Sequence, residues 1–351
     1  MGKLAVYRYV AIMFLVAQIV VSVFTFVGLY AGAAHPAGNT ARALIVFILP
    51  LLILANLVLL VYWLVRRRWF IALLPLVTVL FCIPYIGTIF QLRSQPKGVD
   101  AQNGLKVASY NVAMFCRETS GFMAQDILSE MRKQKVDVLC IQEYSEHSGD
   151  KLNSNSYKEY FPYMATGRED MIIYSRYPIS KSKTILFDDT NNSAMWADIE
   201  VSGREFRVFN THLQTTGINH SLRQAQKAAE RGLDFSGNRL LSLIYGNYAL
   251  GMIVRAGQAT LIAQEKRASD KPVILCGDFN DVPYSYVYKT MLGDMVDGFK
   301  ECGFGFMFTY RGTKHARIDY IFHDKSLHGI TYYHGEQTYS DHYPIYMKIA
   351  M

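Results

Sequence analysis

Residues 271–280 read KPVILCGDFN, and this stretch decides the fold of the second part of the chain. The run Lys271–Gly277 is mostly apolar, with adjacent Val and Ile, and predicts a buried strand. Asp278 and Asn280 follow directly, where that strand ends. A side chain at a strand end is held rigidly and still faces a cleft. The stretch therefore predicts a functional site at the edge of a sheet.

Similar strand-like runs occur on both sides of this stretch. They are rich in Val, Ile, Leu, Phe or Tyr, and they comprise Lys106–Asn111, Val136–Gln142, Asp170–Ser175, Met195–Val201, Glu205–Thr211, Arg317–Phe322 and Ile345–Ile349. Residues 121–134 predict a helix, and residues 219–268 predict a largely helical region. Many strands with intervening helices predict an α/β sandwich for residues 104–351.

Most of these strands end at a polar residue of a type that takes part in catalysis. The set combines carboxylates, amides and histidines, and its members are Asn111, Glu143, His212, Asp278, Asn280, Asp319, Asp341 and His342. Each residue alone is weak evidence, because an Asp after a Gly is commonly a turn residue. As a set they offer hard oxygen ligands without the clustered Cys and His of a zinc site. This chemistry favours Mg²⁺ or Mn²⁺.

Three motifs in combination carry a resemblance to a known family. GDFN at 277–280, RIDYIF at 317–322 and SDH at 340–342 resemble the endonuclease/exonuclease/phosphatase superfamily. That superfamily includes pancreatic-type deoxyribonucleases, abasic-site endonucleases, inositol-polyphosphate phosphatases and neutral sphingomyelinases. The resemblance covers residues 104–351. It implies a four-layer α/β sandwich, in which two packed mixed sheets are flanked by helices, and a metal-dependent phosphoric ester hydrolase.

The resemblance also implies catalytic roles for five residues. His342 matches the histidine that contacts the scissile phosphate, and Asp319 matches the carboxylate that orients it. Asp278 matches the aspartate that positions or activates the attacking water. Asn280 and His212 match phosphate-contacting residues. The abasic-site endonucleases carry another residue type at the position of His212, which argues against a role in DNA repair.

A second group of matching residues implies a metal site for Mg²⁺ or Mn²⁺. Glu143 matches the metal-binding glutamate, Asn111 the asparagine beside it, and Asp341 an acidic neighbour of the metal. The turn Gly167–Met171 departs from the family pattern, so the local substrate contacts stay open. Arg168 in that turn is either a phosphate contact or an exposed loop charge.

Residues 1–92 differ from the rest because they contain no Asp or Glu. Three uncharged apolar stretches, at about 9–31, 43–65 and 69–92, are each long enough to cross a bilayer. A cleaved signal peptide is the alternative for the first stretch, but its apolar part exceeds the usual length of a signal core. Residues 93–103 are polar and predict a linker.

The charge of the chain is unevenly distributed. Of its 36 basic residues, eight lie within residues 1–99, which leaves 28 basic and 29 acidic residues in the remainder. The basic excess therefore belongs to the membrane-flanking part. The second part lacks the overall positive charge that is typical of nucleic-acid binders, so nucleic acid is the less favoured partner.

These observations favour a membrane-anchored, Mg²⁺-dependent phosphoesterase that hydrolyses a phosphodiester or a phosphomonoester. A lipid headgroup, as in a sphingomyelinase-like enzyme, is one expected substrate class, and the bilayer is an expected partner. An extracytoplasmic nuclease and a catalytically inactive, membrane-tethered binding module are the alternatives. The uncharged stretch Leu240–Val254 is either a helix buried against a sheet or a surface that contacts the bilayer. Arg255 and Gln258 follow it in a stretch that resembles the family's Arg–Gln helix.

The orientation in the membrane gives a first testable prediction. Arg66–Arg68 form a basic loop between the second and third stretches, and Lys3 and Arg8 precede the first. Because basic loops stay in the cytoplasm, we expect residues 93–351 outside. Alkaline phosphatase fused after residue 97 should be active, and a fluorescent protein that matures only in the cytoplasm should be dark at the same position. The opposite pair of results would place the second part of the chain in the cytoplasm.

Overall fold

The computed structural model describes residues 3–92, 103–113, 124–144, 155–168, 171–188, 190–217, 237–312 and 315–351, with single positions between 221 and 231. The predicted linker 93–103, apart from its last residue, lies outside the described residues. Cys116, Asp170 and residues 121–123 of the predicted helix also lie outside them, as does part of the predicted helical region before residue 237.

The chain forms two compact units, which are described separately. The first contains Met1–Thr88 and Val282–Lys289, and the second contains Ile89–Asp281 and Thr290–Met351. All eight candidate site residues lie within the sequence ranges of the second unit.

The first unit is helical. Its helices are α1 (Lys3–Tyr30), α2 (Thr40–Leu44), α3 (Leu49–Val65), α4 (Trp69–Phe81) and α5 (Ile83–Ile86), joined in part by the single turns Ala31–Ala33, Pro36–Gly38 and Ile45–Ile48. Three stretches, Val6–Ala33, Thr40–Val65 and Trp69–Ile86, are long and apolar enough to cross a membrane. The third ends earlier than residue 92, because the chain beyond α5 extends into a short strand, β1 (Phe90–Gln91).

A buried polar network lies within the apolar helices of the first unit. The Asn56 amide nitrogen donates to Thr25 Oγ1 at 2.9 Å, and its Oδ1 accepts from Gln18 Nε2 at 3.0 Å and from Ser22 Oγ at 3.1 Å. Thr78 Oγ1 lies 3.2 Å from Ser22 Oγ. The network thus joins α1, α3 and α4, and such bonds hold helices in one mutual packing.

The described helices beyond residue 103 are few, and most are short. They are α6 (Ala124–Lys133), α7 (Asn155–Tyr160), α8 (Gly237–Arg267), α9 (Tyr286–Leu292) and α10 (Gly298–Cys302). The predicted helix at 121–134 corresponds to α6, and the predicted helical region includes α8. Asp297 caps the N-terminus of α10, because its Oδ1 accepts the Phe299 backbone N–H at 3.0 Å.

Two sheets of six strands form the second unit. The first sheet has the order β13-β14-β2-β3-β5-β4, with β13 (Gly329–His334), β14 (Ile345–Ala350), β2 (Gly104–Asn111), β3 (Val138–Gln142), β5 (Met171–Ser175) and β4 (Tyr163–Thr166). The second has the order β10-β12-β9-β8-β7-β6, with β10 (Val296–Asp297), β12 (Asp319–His323), β9 (Val273–Asp278), β8 (Arg204–His212), β7 (Ser193–Val201) and β6 (Ile179–Leu186). A separate ribbon pairs β1 with β11 (Gly305–Phe306).

The two sheets pack face to face. One apolar cluster contains Val107 and Cys140 from the first sheet together with Val208 and Cys276 from the second. On its other face, the first sheet buries Leu139 in a cluster that includes residues of α6. The predicted sandwich of two mixed sheets flanked by helices is confirmed. Cys140 and Cys276 are buried free thiols, as expected of core cysteines.

Among the described strands of more than two residues, three were not predicted, and the two-residue strands β1, β10 and β11 are too short to show a pattern. The clearest is β6, ISKSKTIL, most of whose side chains are exposed. It lies at the edge of the second sheet and pairs only with β7 among the described strands. An edge strand with an open face needs few apolar residues, and lysines protect it from pairing with other chains. The other two are β4 and β13, which are also edge strands.

The uncharged stretch Leu240–Val254 is neither fully buried nor fully exposed. It lies within α8, where Leu241, Tyr245 and Leu250 are 66%, 47% and 61% exposed. From Met252 onward the helix has a buried face. The interpretation as a buried helix therefore holds for the later part of α8 alone, and the earlier part presents apolar side chains outward.

Each six-stranded sheet contains one parallel pair among antiparallel ones. These pairs are β2–β3 in the first sheet and β8–β9 in the second. The carboxyl ends of parallel strands lie at the same edge of a sheet. Asn111 and Glu143 therefore lie together at one such edge, and His212 and Asp278 at the other.

Gly277 gives a prediction about this edge. Its φ of +138° is rare for any residue with a side chain, and an added Cβ would collide with the backbone of Thr211 on β8. Gly277→Ala should therefore destabilise the protein by more than about 2 kcal/mol, measured as the free energy of unfolding in denaturant. The matched control is Gly257→Ala, at an open position on α8, where Ala should be neutral or stabilising by up to about 1 kcal/mol. Equal stability of the two variants would contradict the close approach of β8 and β9.

Candidate active site

An asparagine amide joins the strand ends of the two sheets. Asn111 Nδ2 donates to Glu143 Oε1 at 3.0 Å and to Asp278 Oδ2 at 3.1 Å. His212 Nε2 lies 3.5 Å from the same Glu143 oxygen. The structure therefore brings together four of the predicted site residues, two from each sheet, at the carboxyl ends of the parallel strand pairs.

The backbone at two of these strand ends is in the left-handed region. Glu143 has a φ of +53° and Asn280 a φ of +51°. This conformation is uncommon for residues other than glycine, and it clusters at functional sites. It turns the chain sharply just after β3 and β9, and places both side chains beside the sheet edge.

His342 is held between two carboxylates. Its Nδ1 lies 2.9 Å from Asp319 Oδ2, and its Nε2 lies 3.7 Å from Asp278 Oδ2. Asp319 begins β12 and is paired in register with Asp278 on β9. The ligand-type atoms of these three buried residues all lie within 4.8 Å of one another.

The pKa values of Asp278 and His342 are both shifted by their surroundings, so that one residue can act as a base and the other as an acid. Burial raises the pKa of Asp278 to about 6, and the nearby Asp319 carboxylate adds to the increase. Burial alone would lower the pKa of His342, but the charges of Asp319 and Asp278 outweigh burial and raise it to about 10. At neutral pH the site therefore pairs an ionised aspartate with a cationic histidine.

Asn280 is fixed by hydrogen bonds to its neighbours. Its backbone N–H donates to Asp278 Oδ1 at 2.8 Å, and its side-chain amide donates to the Leu213 carbonyl at 2.9 Å and to Asp278 Oδ2 at 3.2 Å. Both Asp278 oxygens thus accept hydrogen bonds from this one residue. Asn280 orients the Asp278 carboxylate and lies beside the residue that follows His212.

Two residues that support His342 were not predicted from the sequence. Thr309 Oγ1 accepts the backbone N–H groups of Ile318 and Asp319, both at 3.0 Å. The ring of Tyr310 packs edge-on against the His342 ring, with centroids 5.1 Å apart. The local sequence is rich in Phe and Tyr, but no pattern in it indicates that Thr309 and Tyr310 contact the site.

A further unpredicted contact lies beneath the site and joins the sheets. Gln142 Nε2 donates to Asn210 Oδ1 at 2.6 Å, and Asn210 Nδ2 donates to the carbonyls of Ile141 and Ile172 at 2.9 and 3.0 Å. Both amide side chains are fully buried. Gln142 directly precedes Glu143 and Asn210 lies two residues before His212, so this contact fixes both strand ends across the interface of the two sheets.

Sequence comparison assigns the chain to a family. Residues 108–342 match the Endonuclease/Exonuclease/phosphatase family, and this range includes every candidate site residue. The chain belongs to the endonuclease/exonuclease/phosphatase family. Residues 11–89 match a second family, described as a domain of unknown function, DUF8431. Among curated proteins, none matches the chain significantly.

Solved structures share the fold of the endonuclease/exonuclease/phosphatase unit. One is D. rerio TDP2 complexed with a single-strand DNA product, with 17% identity and a TM-score of 0.53 over 71% of this chain and 100% of that one. A family protein from Bacteroides vulgatus has 16% identity and a TM-score of 0.52 over 71% and 100% of the two chains. A third, from Bacteroides thetaiotaomicron, has 19% identity and a TM-score of 0.50 over 70% and 95%. At these identities the likeness concerns the fold alone.

Enzymes of the endonuclease/exonuclease/phosphatase family are phosphate-ester hydrolases that generally use divalent metal ions, and the residues here fit such an ion. Within the described residues, Glu143 contacts Asn111 and His212 through Oε1, and its Oε2 could hold the ion. Asn111 lies beside it. Asp341 is exposed, accepts a hydrogen bond from Ser340 Oγ at 3.3 Å, and its charge raises the pKa of His342. Carboxylate and amide oxygens suit Mg²⁺ or Mn²⁺.

The fit leads to a prediction that needs no substrate. Mg²⁺ or Mn²⁺ should raise the melting temperature of the full chain in detergent, because an ion that binds only the folded state stabilises it. Glu143→Gln removes a charged ligand and should weaken this effect by at least about tenfold in apparent affinity. The exposed Glu200→Gln serves as the control and should behave like the parent protein. A metal response that is identical in both variants would exclude Glu143 as a ligand.

Proposed function

We propose that the protein is a membrane-anchored hydrolase of phosphate esters that requires Mg²⁺ or Mn²⁺. The observation that carries the proposal is the pairing of Asp278 with His342, 3.7 Å apart, in a chain of the endonuclease/exonuclease/phosphatase family. One group is poised to accept a proton and the other to donate one, next to residues suited to a divalent cation.

Asp278 acts on the attacking water. With a pKa of about 6 it is ionised at neutral pH, and it can orient a water molecule and accept its proton. The hydrogen bonds from Asn111 and Asn280 hold the carboxylate in one orientation. A fixed carboxylate keeps the water in line with the scissile bond, which is the main requirement of a displacement at phosphorus.

His342 acts on the departing oxygen. Asp319 holds the ring through Nδ1, so that Nε2 faces the cleft and can donate a proton to the leaving group. His212 lies beside the site and binds the phosphoryl oxygens, and the Asn280 amide joins it when the substrate replaces its hydrogen bond to Asp278 Oδ2. A divalent cation held by Glu143, Asn111 and Asp341 supplies positive charge to those oxygens when it is bound.

A membrane lipid is the substrate class that the chain favours. Three stretches can cross a membrane, and only residues 87–89 separate the end of α5 from β1. The early part of α8 presents Leu241, Tyr245 and Leu250 outward, as expected of a surface that meets a bilayer. Residues 100–351 lack a net positive charge, so a polynucleotide is the weaker candidate. We place this unit on the extracytoplasmic side, on the basis of the basic loop Arg66–Arg68.

Activity of the full chain in lipid vesicles tests the proposal. We expect hydrolysis of a phosphate ester that requires Mg²⁺ or Mn²⁺ and stops with EDTA. His342→Ala should lower kcat by about 100-fold or more, the usual contribution of a general acid. His328→Ala is the control, because His328 is exposed and pairs with Glu301, which is not one of the candidate site residues, and its loss should leave kcat within about twofold.

Three results would count against the proposal. Full activity in EDTA would show that the reaction needs no divalent cation. Rapid cleavage of plasmid DNA with a steep dependence on salt, and without lipid turnover, would instead favour an extracytoplasmic nuclease, because polynucleotide binding releases counterions. Catalytic inactivity towards every phosphate ester, with metal binding intact, would favour the binding module.

A further inference from the structure

A cavity of about 730 Å³ opens in the second unit, beside the candidate active site. Its volume falls within the range of small-molecule sites, roughly 300–1,000 Å³. The described residues that line it are mainly polar: Arg168, Leu186, Phe187, Asp188, Thr190, Asn191, Asn192, Gln214 and Thr215. We call it the headgroup cavity.

The carbonyl of Leu213 connects the headgroup cavity to the active site. It accepts a hydrogen bond from Asn280 Nδ2 at 2.9 Å and another from Asn192 Nδ2 at 3.3 Å. Asn280 is a proposed phosphate-binding residue, and Asn192 lines the cavity. Leu213 also directly follows His212, and Gln214, the next residue, lines the cavity too. A phosphate bound at His212 and Asn280 would thus have its substituent next to the cavity.

Helix α8 holds the wall of the headgroup cavity in place. Gln258 Oε1 accepts the Gln214 backbone N–H at 2.9 Å, and Gln258 Nε2 lies 3.4 Å from Thr190 Oγ1. Arg255, which is fully buried, donates to the Gln214 carbonyl at 3.1 Å. The Arg–Gln pair on α8 therefore fixes two lining segments from behind, while Arg168, Asp188 and Asn191 are exposed.

The lining determines what the cavity can bind. Its described charges are one cation, Arg168, and one anion, Asp188, which balance. The amides of Asn191, Asn192 and Gln214 offer both donors and acceptors. A quaternary ammonium group is recognised by several aromatic faces, and Phe187 is the single aromatic residue among the lining residues. A second phosphate would need an excess of cations.

We propose that the headgroup cavity binds a neutral, hydroxyl-rich group esterified to the scissile phosphate, such as glycerol, a sugar or a cyclitol. Asp188 and the amide oxygens accept hydrogen bonds from its hydroxyls, and Arg168 donates to their oxygens. The proposal rests on the proposed phosphoesterase function and narrows its substrate class. It gives Arg168 a role at the substituent of the phosphate, where the sequence left a phosphate contact and an exposed charge as alternatives.

Selectivity between two esters tests the proposal. The full chain in detergent with Mg²⁺ is assayed with the methyl phosphodiesters of inositol and of choline, and with the corresponding monoesters, inositol phosphate and choline phosphate. We expect kcat/KM to favour the inositol ester by at least about tenfold, because a site built for hydroxyls rejects a group without them. Arg168→Ala and Asp188→Asn should each bring this ratio towards one. Since both esters are measured on one preparation, partial misfolding lowers both rates and leaves the ratio unchanged.

The controls are Lys181→Ala and Glu200→Gln, which remove exposed charges from the second sheet outside the cavity and should leave the ratio as in the parent protein. A ratio near one in the parent protein, or a ratio that neither cavity variant changes, would overturn the proposal.

Failure of the proposed function has a separate signature. If neither these esters nor p-nitrophenyl phosphates are hydrolysed, the phosphoesterase proposal fails. Direct binding of the free alcohols then tests whether the cavity recognises hydroxyl groups. Saturation-transfer NMR should then detect myo-inositol, and not choline, on the parent protein, with loss of the signal in Arg168→Ala. Absence of myo-inositol binding to the parent protein would exclude a hydroxyl-rich ligand.

Discussion

The site depends on one neutral amide between two carboxylates of different sheets. Asn111 donates from the same nitrogen to Glu143 and to Asp278. A carboxylate at position 111 would place a third negative charge within about 3 Å of two others, and like charges at that distance cannot all stay ionised. The amide satisfies both neighbours without adding charge. It therefore allows Asp278 to remain a usable base while Glu143 keeps an oxygen for a cation.

The topology explains why these groups meet. Each sheet has one parallel pair, and the carboxyl ends of the two pairs carry Asn111 with Glu143 and His212 with Asp278. Asp319 is the first residue of β12, which runs antiparallel to β9, and His342 lies just before β14, which runs antiparallel to β2. The starts of β12 and β14 therefore lie at the same edge as the ends of β9 and β2. The close approach at Gly277 and the Gln142–Asn210 bond keep the edges in contact. A site assembled from the starts and ends of six strands needs such fixed spacing.

Much of this arrangement could be predicted from the sequence. Buried strands such as β3 and β9 are apolar throughout, and the polar residues after them stand out against that background. The same logic fails for β6, where exposed lysines interrupt the apolar pattern. It also fails for Thr309, whose contact with the Asp319 backbone, ten positions further along, depends on how the chain between them turns back. The headgroup cavity is the extreme case. Arg168, Asp188 and Gln214 come from three separate segments, and no spacing in the sequence indicates that they share one space.

The helical first unit shows a related limit of prediction from average hydropathy. Hydropathy identifies its three stretches because apolar residues dominate each of them. Average hydropathy does not reveal Gln18, Ser22 and Asn56, which are buried. Their side chains form hydrogen bonds with one another between α1 and α3. In lipid an unsatisfied amide is costly, and each interhelical bond adds about 0.6 kcal/mol on average. The energy gained is small, but the cost of leaving Asn56 unpaired penalises every other packing of these helices. A simple anchor would need no such device, so the network indicates that the mutual arrangement of the three helices is itself specified by the sequence.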